Sequence, residues 1–399
     1  MTVRLEHILG RELDLLTADI AKHRSTLSDQ VATSSFLVLG GAGTIGKAVV
    51  KELFERQPKK LHVIDISENN LAELVRDLRS NQGYISGEFD TFCLDIGSDE
   101  FDAYCNAQTG FDYVLNLSAL KHVRSEKDPF TLMRMIRVNI LNTIKSIELA
   151  KAMGAKKYFC VSTDKAANPA NMMGASKRIM ELFLAKYSNE ISISTARFAN
   201  VAFSDGSLLH SFNQRLSLTQ PLAAPTDVQR YFVSEKEAGE ICLLSCLLAD
   251  NGQVFFPKLE EHKHLNTFSD IAIKFLEEKG FSPVVFKDEQ QARDFNFTEN
   301  PGKWPLLLTK SDTTGEKGIE EFFTDQEQVN LEKFNGLGIV KELVSEGFFD
   351  EDMLKLFLIE IQSYISLGRW TKLDLVKLFQ TLLPDFDHLE TGKSLNNKM

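Results

Sequence analysis

The chain has 399 residues and a formal net charge of −11, from 45 Lys and Arg against 56 Asp and Glu. That length exceeds one small domain and suits a large α/β domain with additions, and 43% apolar with 25% charged residues is globular usage rather than disorder. An acidic balance argues against nucleic acid or an anionic membrane surface as partner, so an anionic ligand needs a local site of Arg, Lys or backbone N–H groups.

Residues 1–33 read as a helical arm ahead of the main fold. They mix charge with Leu and Ile at helical spacing and lack the apolar centre of a secretion signal. From Phe36 onward a short apolar run, a turn and a helical segment repeat. The predicted strands are 36–39, 61–64, 91–94, 113–117, 157–161 and 191–196, with helices such as 46–56 and 139–153 between them. Strands alternating with helices argue for a parallel sheet covered on both faces. The dinucleotide-binding unit is assigned to residues 34–200. Beyond Arg197 the alternation weakens, with one further strand at 253–256, and residues 201–330 are assigned to a substrate-binding region. Residues 331–383 return to helical periodicity, with Ile339, Leu343, Phe348, Leu354, Phe357 and Ile361 on the apolar side. They form, with the polar tail 390–399, a C-terminal extension.

The run Leu39-Gly40-Gly41-Ala42-Gly43-Thr44-Ile45-Gly46 follows the first strand and opens the first helix. Gly40 permits the tight turn, Gly43 lets the backbone approach a pyrophosphate, and Gly46 lets the helix pack close to the sheet. The helix start at Thr44 and Ile45 then offers N–H groups to the phosphates. Asp65 ends the second strand, 19 residues beyond Gly46. An acid there accepts from a ribose 2′-OH and repels a 2′-phosphate, which selects NAD over NADP. Asp95, followed by Ile96, is a candidate for the adenine edge; a helix N-cap is the other use of such an aspartate. These features specify a Rossmann-type, doubly wound α/β sheet.

No apolar run approaches the ~20 residues that span a bilayer. The five cysteines, Cys93, Cys105, Cys160, Cys242 and Cys246, lie mostly in apolar stretches and read as buried free thiols of a reducing, cytoplasmic compartment. Neither they nor the eight scattered His have zinc-type spacing, so no metal is expected.

Thr163, Asp164 and Lys165 end the fifth strand, at the edge where open α/β sheets place their chemistry. Taken alone, an Asp–Lys neighbour is more often a solvated loop. The stretch STDKAANPANMMGASKRIME, residues 162–181, resembles the polysaccharide-biosynthesis (CapD-like) branch of the extended short-chain dehydrogenase/reductases, which includes the nucleotide-sugar 4,6-dehydratases acting on N-acetylglucosamine. NLSALKHV at 116–123, ARFANVAFSDGSLL at 196–209, QRYFVSEKEAGE at 229–240 and GEKGIEEF at 315–322 resemble the same family in the same order. One departure from the wider superfamily is instructive. Its usual pair is Tyr-xxx-Lys, whereas Met173 stands four before Lys177, and none of the seven tyrosines has a Lys four residues later. A subset of the resembled family also carries Met there.

The resemblance implies an NAD-dependent dehydration of a nucleotide-activated N-acetylhexosamine, with UDP-N-acetylglucosamine favoured and a GDP-sugar as the alternative. Lys165 is then the base at C5, Asp164 the acid at the C6 hydroxyl, Lys177 the holder of the nicotinamide ribose, and Thr163 the nearest hydroxyl to O4. Lys121, Arg197 and Arg230 are the candidate cations for the diphosphate, and Asn200 and Ser207 the polar candidates of the substrate loop. Glu316 is the candidate for the nucleotide ribose. A homodimer or larger homo-oligomer, paired through the helices holding residues 139–152 and 173–187, is also implied. A C5-inverting dehydratase, an epimerase and a cofactor-bound protein without turnover remain as alternatives.

Overall fold

The computed structural model describes residues 4–108, 110–311, 317–343 and 350–388. The strands in chain order are β1 (Ser35–Leu39), β2 (Lys60–Asp65), β3 (Glu88–Cys93), β4 (Tyr113–Asn116), β5 (Lys157–Thr163), β6 (Ser192–Phe198), β7 (Asn200–Val201), β8 (Leu222–Pro225), β9 (Gln229–Val233), β10 (Val254–Pro257), β11 (Leu265–Thr267), β12 (Ser282–Phe286), β13 (Lys303–Thr309), β14 (Val329–Asn330) and β15 (Leu337–Val340). The main sheet has the order β14-β15-β10-β6-β5-β4-β1-β2-β3. From β3 to β10 every neighbouring pair is parallel, and the pairs β10–β15 and β15–β14 are antiparallel, so that β15 alone runs against the rest. The chain reverses its direction of travel across the sheet between β1 and β4, the switch point where such sheets open a crevice beyond the strand ends.

Burial explains the strand compositions. β1, sequence SFLVL, is buried along its whole length, as a central parallel strand with helices on both faces must be. β3 lies at the edge; Glu88 and Asp90 are exposed while Phe89 and Thr91 are half-buried, and edge charges oppose pairing with another chain. Two smaller sheets, β11-β9-β7 and β12-β13-β8, stand beside the strand ends over a second apolar core that includes Phe212, Phe275, Leu306 and Trp304.

Three expectations are corrected here. First, of the arm expected at residues 1–33, the described residues 4–33 are built into the body rather than standing ahead of it. Ile8 and Leu9 belong to the second core, and Leu16, Leu27 and Val31 to the main one. Asp19, fully buried, accepts from the N–H groups of Asn335 and Gly336, both at 2.7 Å. Second, Ile339 is not on a helix: it lies in β15, paired antiparallel with Phe255 of β10, so the main sheet draws strands from far beyond residue 200. A short, wholly buried apolar run is ambiguous between strand and helix, and only the free edge of β10 decides it. Third, Cys93 is exposed, while Cys105, Cys160, Cys242 and Cys246 are buried; all five are free. Phe348 and the tail 390–399 lie outside the described residues.

The C-terminal helices Glu351–Leu367 and Lys372–Leu382 form a hairpin on the body. Phe357 meets Phe183 of helix Met172–Tyr187 and Phe379 of its own hairpin, and the Trp370 indole N–H donates to the Pro129 carbonyl at 2.8 Å. The chain's own hairpin thus covers part of the helical face expected to pair two copies, and a second copy there has to meet the hairpin as well. Among the described residues no helix is long and apolar enough to cross a membrane.

A buried ion cluster joins the layers. Arg197 of β6 is fully buried and bonds to Glu181 of helix Met172–Tyr187 through Nε at 3.0 Å and one terminal nitrogen at 2.8 Å, and to Glu327 twice at 2.7 Å. Arg178 adds a second guanidinium to both carboxylates. Burial alone would raise the Glu181 carboxyl, but Arg197 and Arg178 hold it down at about 2. Glu181→Ala is expected to cost about 3–5 kcal/mol, because removing one partner leaves buried positive charge underpaired; a urea unfolding midpoint equal to wild type would contradict this.

Candidate active site

The glycine loop has the geometry its spacing implies. Gly40 sits at φ +71°, and a Cβ there would lie 2.7 Å from the Ser118 backbone nitrogen. A Cβ on Gly46 would lie 2.2 Å from the Gly40 carbonyl oxygen, so the helix can approach the loop this closely only without one. At Gly43 the nearest atom to an added Cβ is the Gly40 carbonyl oxygen at 3.7 Å, an ordinary contact, so a side-chain carbon fits there without displacing its neighbours. Helix Thr44–Glu55 begins at Gly43 with no side-chain cap, and its first-turn N–H groups are the donors an anion would use. Asp65 accepts from Ala42 N–H and Ser67 N–H, both at 2.9 Å, so it braces the loop while each oxygen keeps a further lone pair.

Asp95 does not cap the following helix, Asp99–Ala107; Ser98 does. Asp95 instead accepts from Gly97 N–H at 2.8 Å and faces Arg134 at 3.6 Å. Ile96 turns into the main core, so any contact it makes with a ligand comes from its backbone.

The fifth strand ends in a 3-10 turn, Asp164–Ala166. The Thr163 hydroxyl donates to Asp164 Oδ1 at 2.8 Å, and the same oxygen accepts from the Lys165 N–H at 2.9 Å and from Lys165 Nζ at 3.0 Å. The Asp164 side chain is 1% exposed, and its Oδ2 has no partner among the described residues. A buried carboxylate oxygen left in this state is one that a substrate hydroxyl can satisfy. The turn is pressed against the next helix: a Cβ on Gly174 would lie 2.4 Å from the Lys165 carbonyl oxygen. Helix Met172–Tyr187 is capped there by Asn171, whose side chain accepts from Gly174 N–H.

Met173 is buried in the main core on the first turn of that helix. Lys177, expected at the nicotinamide ribose, points its amine to the Val161 carbonyl on β5 at 3.0 Å and to the Met180 sulfur. Burial pushes its pKa down, against the pull of Cys160 and Glu181.

The loop after β4 is shaped by two asparagines that sequence reasoning missed. Asn116 Oδ1 accepts from the Ser118 N–H and hydroxyl. Asn139, in a π-helical turn Arg137–Leu141, bonds both the N–H and the carbonyl of Leu120 and donates to Ser176. Such turns widen a helix locally and recur at functional sites; the visible signal was a polar residue within an apolar helical stretch.

The substrate-loop candidates divide. Lys121 is exposed and donates to Ser204 at 3.3 Å, and the Asp205 N–H donates to the Thr44 hydroxyl at 3.0 Å, so the β4 loop, the glycine loop and the segment after β7 meet. Asn200 is half-buried and reaches the Tyr231 carbonyl at 3.4 Å; Ser207 caps helix Leu208–Ser217. Arg230 is buried and donates to the carbonyls of Gln229, Lys317 and Gly318, with Glu320 at 3.7 Å. Arg197 cannot bind a diphosphate: its five N–H donors are all committed, to Glu181, Glu327 and the Phe322 carbonyl. Glu316 lies outside the described residues.

The family model described as polysaccharide biosynthesis protein matches residues 36–342. An uncharacterized membrane protein of Methanocaldococcus jannaschii is 31% identical over 321 residues, covering 79% of this chain and 87% of that protein. A Campylobacter jejuni UDP-N-acetylglucosamine 4,6-dehydratase (inverting) is 28% identical, covering 58% of this chain and 69% of its own. Among solved structures, Streptomyces venezuelae DesIV, a dTDP-glucose 4,6-dehydratase with NAD and TYD bound, aligns with a TM-score of 0.55 at 16% identity, covering 72% of this chain and 88% of its own.

Two glycine substitutions separate packing from ligand approach. Gly46→Ala forces the loop off the helix and is expected to lower the melting temperature. Gly43→Ala, whose Cβ meets only an ordinary contact, should leave the melting temperature at the wild-type value while weakening dinucleotide binding in titration calorimetry. Equal behaviour of the two variants would refute the assignment of Gly43 to the ligand side.

Proposed function

We propose that this chain, which belongs to the polysaccharide biosynthesis protein family, removes water from C4–C6 of a nucleotide-activated N-acetylhexosamine, with UDP-N-acetylglucosamine as first candidate, to give the 4-keto-6-deoxy sugar. The observation that carries this reading is the adjacent acid and base, Asp164 and Lys165, at the carboxyl end of β5, with an unpartnered oxygen on the acid. The dehydratase of C. jejuni supports it.

The cleft suits NAD. Gly43 leaves room above uncapped N–H groups, and Asp65 presents a carboxylate braced for a ribose diol. A dinucleotide held by these groups would supply the hydride acceptor for C4 and the hydride donor for C6. The remaining steps belong to the protein. With no tyrosine at position 173, the Thr163 hydroxyl takes the O4 proton as its own passes to Asp164 Oδ1, along the 2.8 Å hydrogen bond already in place. Oxidation at C4 acidifies C5–H. Lys165, as the free amine, removes that proton; the C5–H bond breaks and an N–H bond forms. Asp164 then protonates the C6 hydroxyl, the C6–O bond breaks and water leaves. After hydride reaches C6, Lys165 returns a proton to C5. The proton lost from O4 thus leaves in the water, and every group ends as it began.

Lys121, exposed at the meeting of the three loops, is the cation proposed for the diphosphate. Arg230 serves this site by holding the 317–320 segment rather than by meeting phosphate. A C5-inverting outcome is the second reading, favoured by the inverting relative of C. jejuni; it uses the same acid and base and differs in the face from which C5 is reprotonated.

The test is incubation of the purified protein with UDP-N-acetylglucosamine in deuterated water, read by mass and proton NMR. Loss of water with one deuterium at C5 is expected, and the C5 coupling separates retention from inversion. Lys165→Ala should abolish this product and leave NAD binding intact; undiminished turnover in that variant would remove Lys165 from the role of base.

A further inference from the structure

We propose that Glu320 is a positioning residue for Lys165: its buried carboxylate holds the Lys165 amine beside Asp164. This rests on the reading of Lys165 as the base at C5. Glu320 is 5% exposed, and its Oε1 lies 3.9 Å from Lys165 Nζ and 3.7 Å from an Arg230 terminal nitrogen. The segment that carries it is pinned on both sides. Arg230 binds the carbonyls of Lys317 and Gly318, and the Gln229 N–H donates to Gly318 at 3.1 Å. Beyond it, the Phe322 carbonyl accepts from Arg197, and the Phe322 ring stacks on Phe256.

The charged groups facing Glu320 are Lys165 and Asp164 from the turn after β5, Arg230 from β9 and Lys317 from its own segment. Burial pushes the Glu320 carboxyl up; Lys165 opposes that, Asp164 reinforces it, and Arg230 and Lys317 oppose it. The Lys165 amine stands between two carboxylates, 3.0 Å from Asp164 and 3.9 Å from Glu320. A general base has to be neutral, and an opposite charge nearby opposes that state, so the part played by the second carboxylate is to be read from the pH dependence once its charge is removed.

Glu320→Gln removes the charge and keeps the shape. The acid limb of kcat/KM against pH is expected to move to lower pH by about one unit, the effect of deleting an opposite charge within about 4–6 Å, which is about a tenfold gain in relative rate on that limb. KM should stay near wild type. Glu320→Asp, whose charge is drawn back by one methylene, should move the limb by less, and it serves as the test if the glutamine variant does not fold. The second readout needs no turnover: amine-reagent labelling of Lys165, followed by peptide mass spectrometry across pH, should reach half-extent at lower pH in Glu320→Gln. Unmoved limb and unmoved labelling, with or without a uniform loss of rate, would reduce Glu320 to packing and overturn the proposal. A labelling shift in a protein whose wild type consumes no nucleotide sugar would uphold the Glu320–Lys165 linkage and defeat the dehydratase reading instead.

Discussion

Arg197 has five N–H donors, and the protein uses all of them in its interior. Two reach Glu181 on the helix behind β5, two reach Glu327 and one reaches the Phe322 carbonyl. The Ser162 hydroxyl donates to the same Glu181 at 2.6 Å, one residue before Thr163. One guanidinium therefore ties β6, the helix that backs the Asp164–Lys165 turn, the end of β5 and the segment that brings Glu320 over Lys165. Ion clusters of this kind add little net stability over an apolar filling of the same volume. What this one supplies is register: two arginines and two glutamates satisfy one another only when all the elements are in place.

The site is consequently an assembly of distant pieces laid on a local framework. The glycine loop and the Asp164–Lys165 turn each arise within a few residues of chain. The walls come from elsewhere: Asp205 latches onto Thr44, Lys121 onto Ser204, and Glu320 sits over Lys165. The terminal segments join the same structure. Asp19 fastens the N-terminal helix to the turn before β15, and Arg11 binds Glu237 and the Phe232 carbonyl, so residues near the start of the chain brace the strand next to Arg230. The C-terminal hairpin covers helix Met172–Tyr187 from outside, which shields the element that carries Met173 and Lys177.

Met173 shows how a missing proton carrier shapes the remaining chemistry. A thioether cannot exchange a proton, and Lys177 is turned toward a backbone carbonyl. The hydroxyl of Thr163, already bonded to Asp164, is then the proton path that the proposed reaction would use. On the proposed path the acid would be recharged by the substrate itself, and no proton would have to cross the protein.

Much of this architecture is legible in the amino-acid sequence. Glycine spacing, the acid at the end of β2 and the alternation of apolar runs with helices are local patterns, and the backbone conformations they demand are local too. Sequence by itself determined the parallel α/β class, the cradle at Gly40, Gly43 and Gly46, and the placing of Asp164 and Lys165 at a strand end. It did not determine what a charged side chain meets. Arg197 and Arg230 look alike in the chain as cations within matched segments; one is consumed by Glu181 and Glu327, and the other holds up the strand of chain that carries Glu320. Ile339 reads as helical until β10 offers it an open edge. Partners of buried charges and edges of sheets are often set by residues tens to more than a hundred positions away, because a desolvated charge or an unpaired strand takes whatever the completed fold brings within reach. Only the tertiary structure decided those.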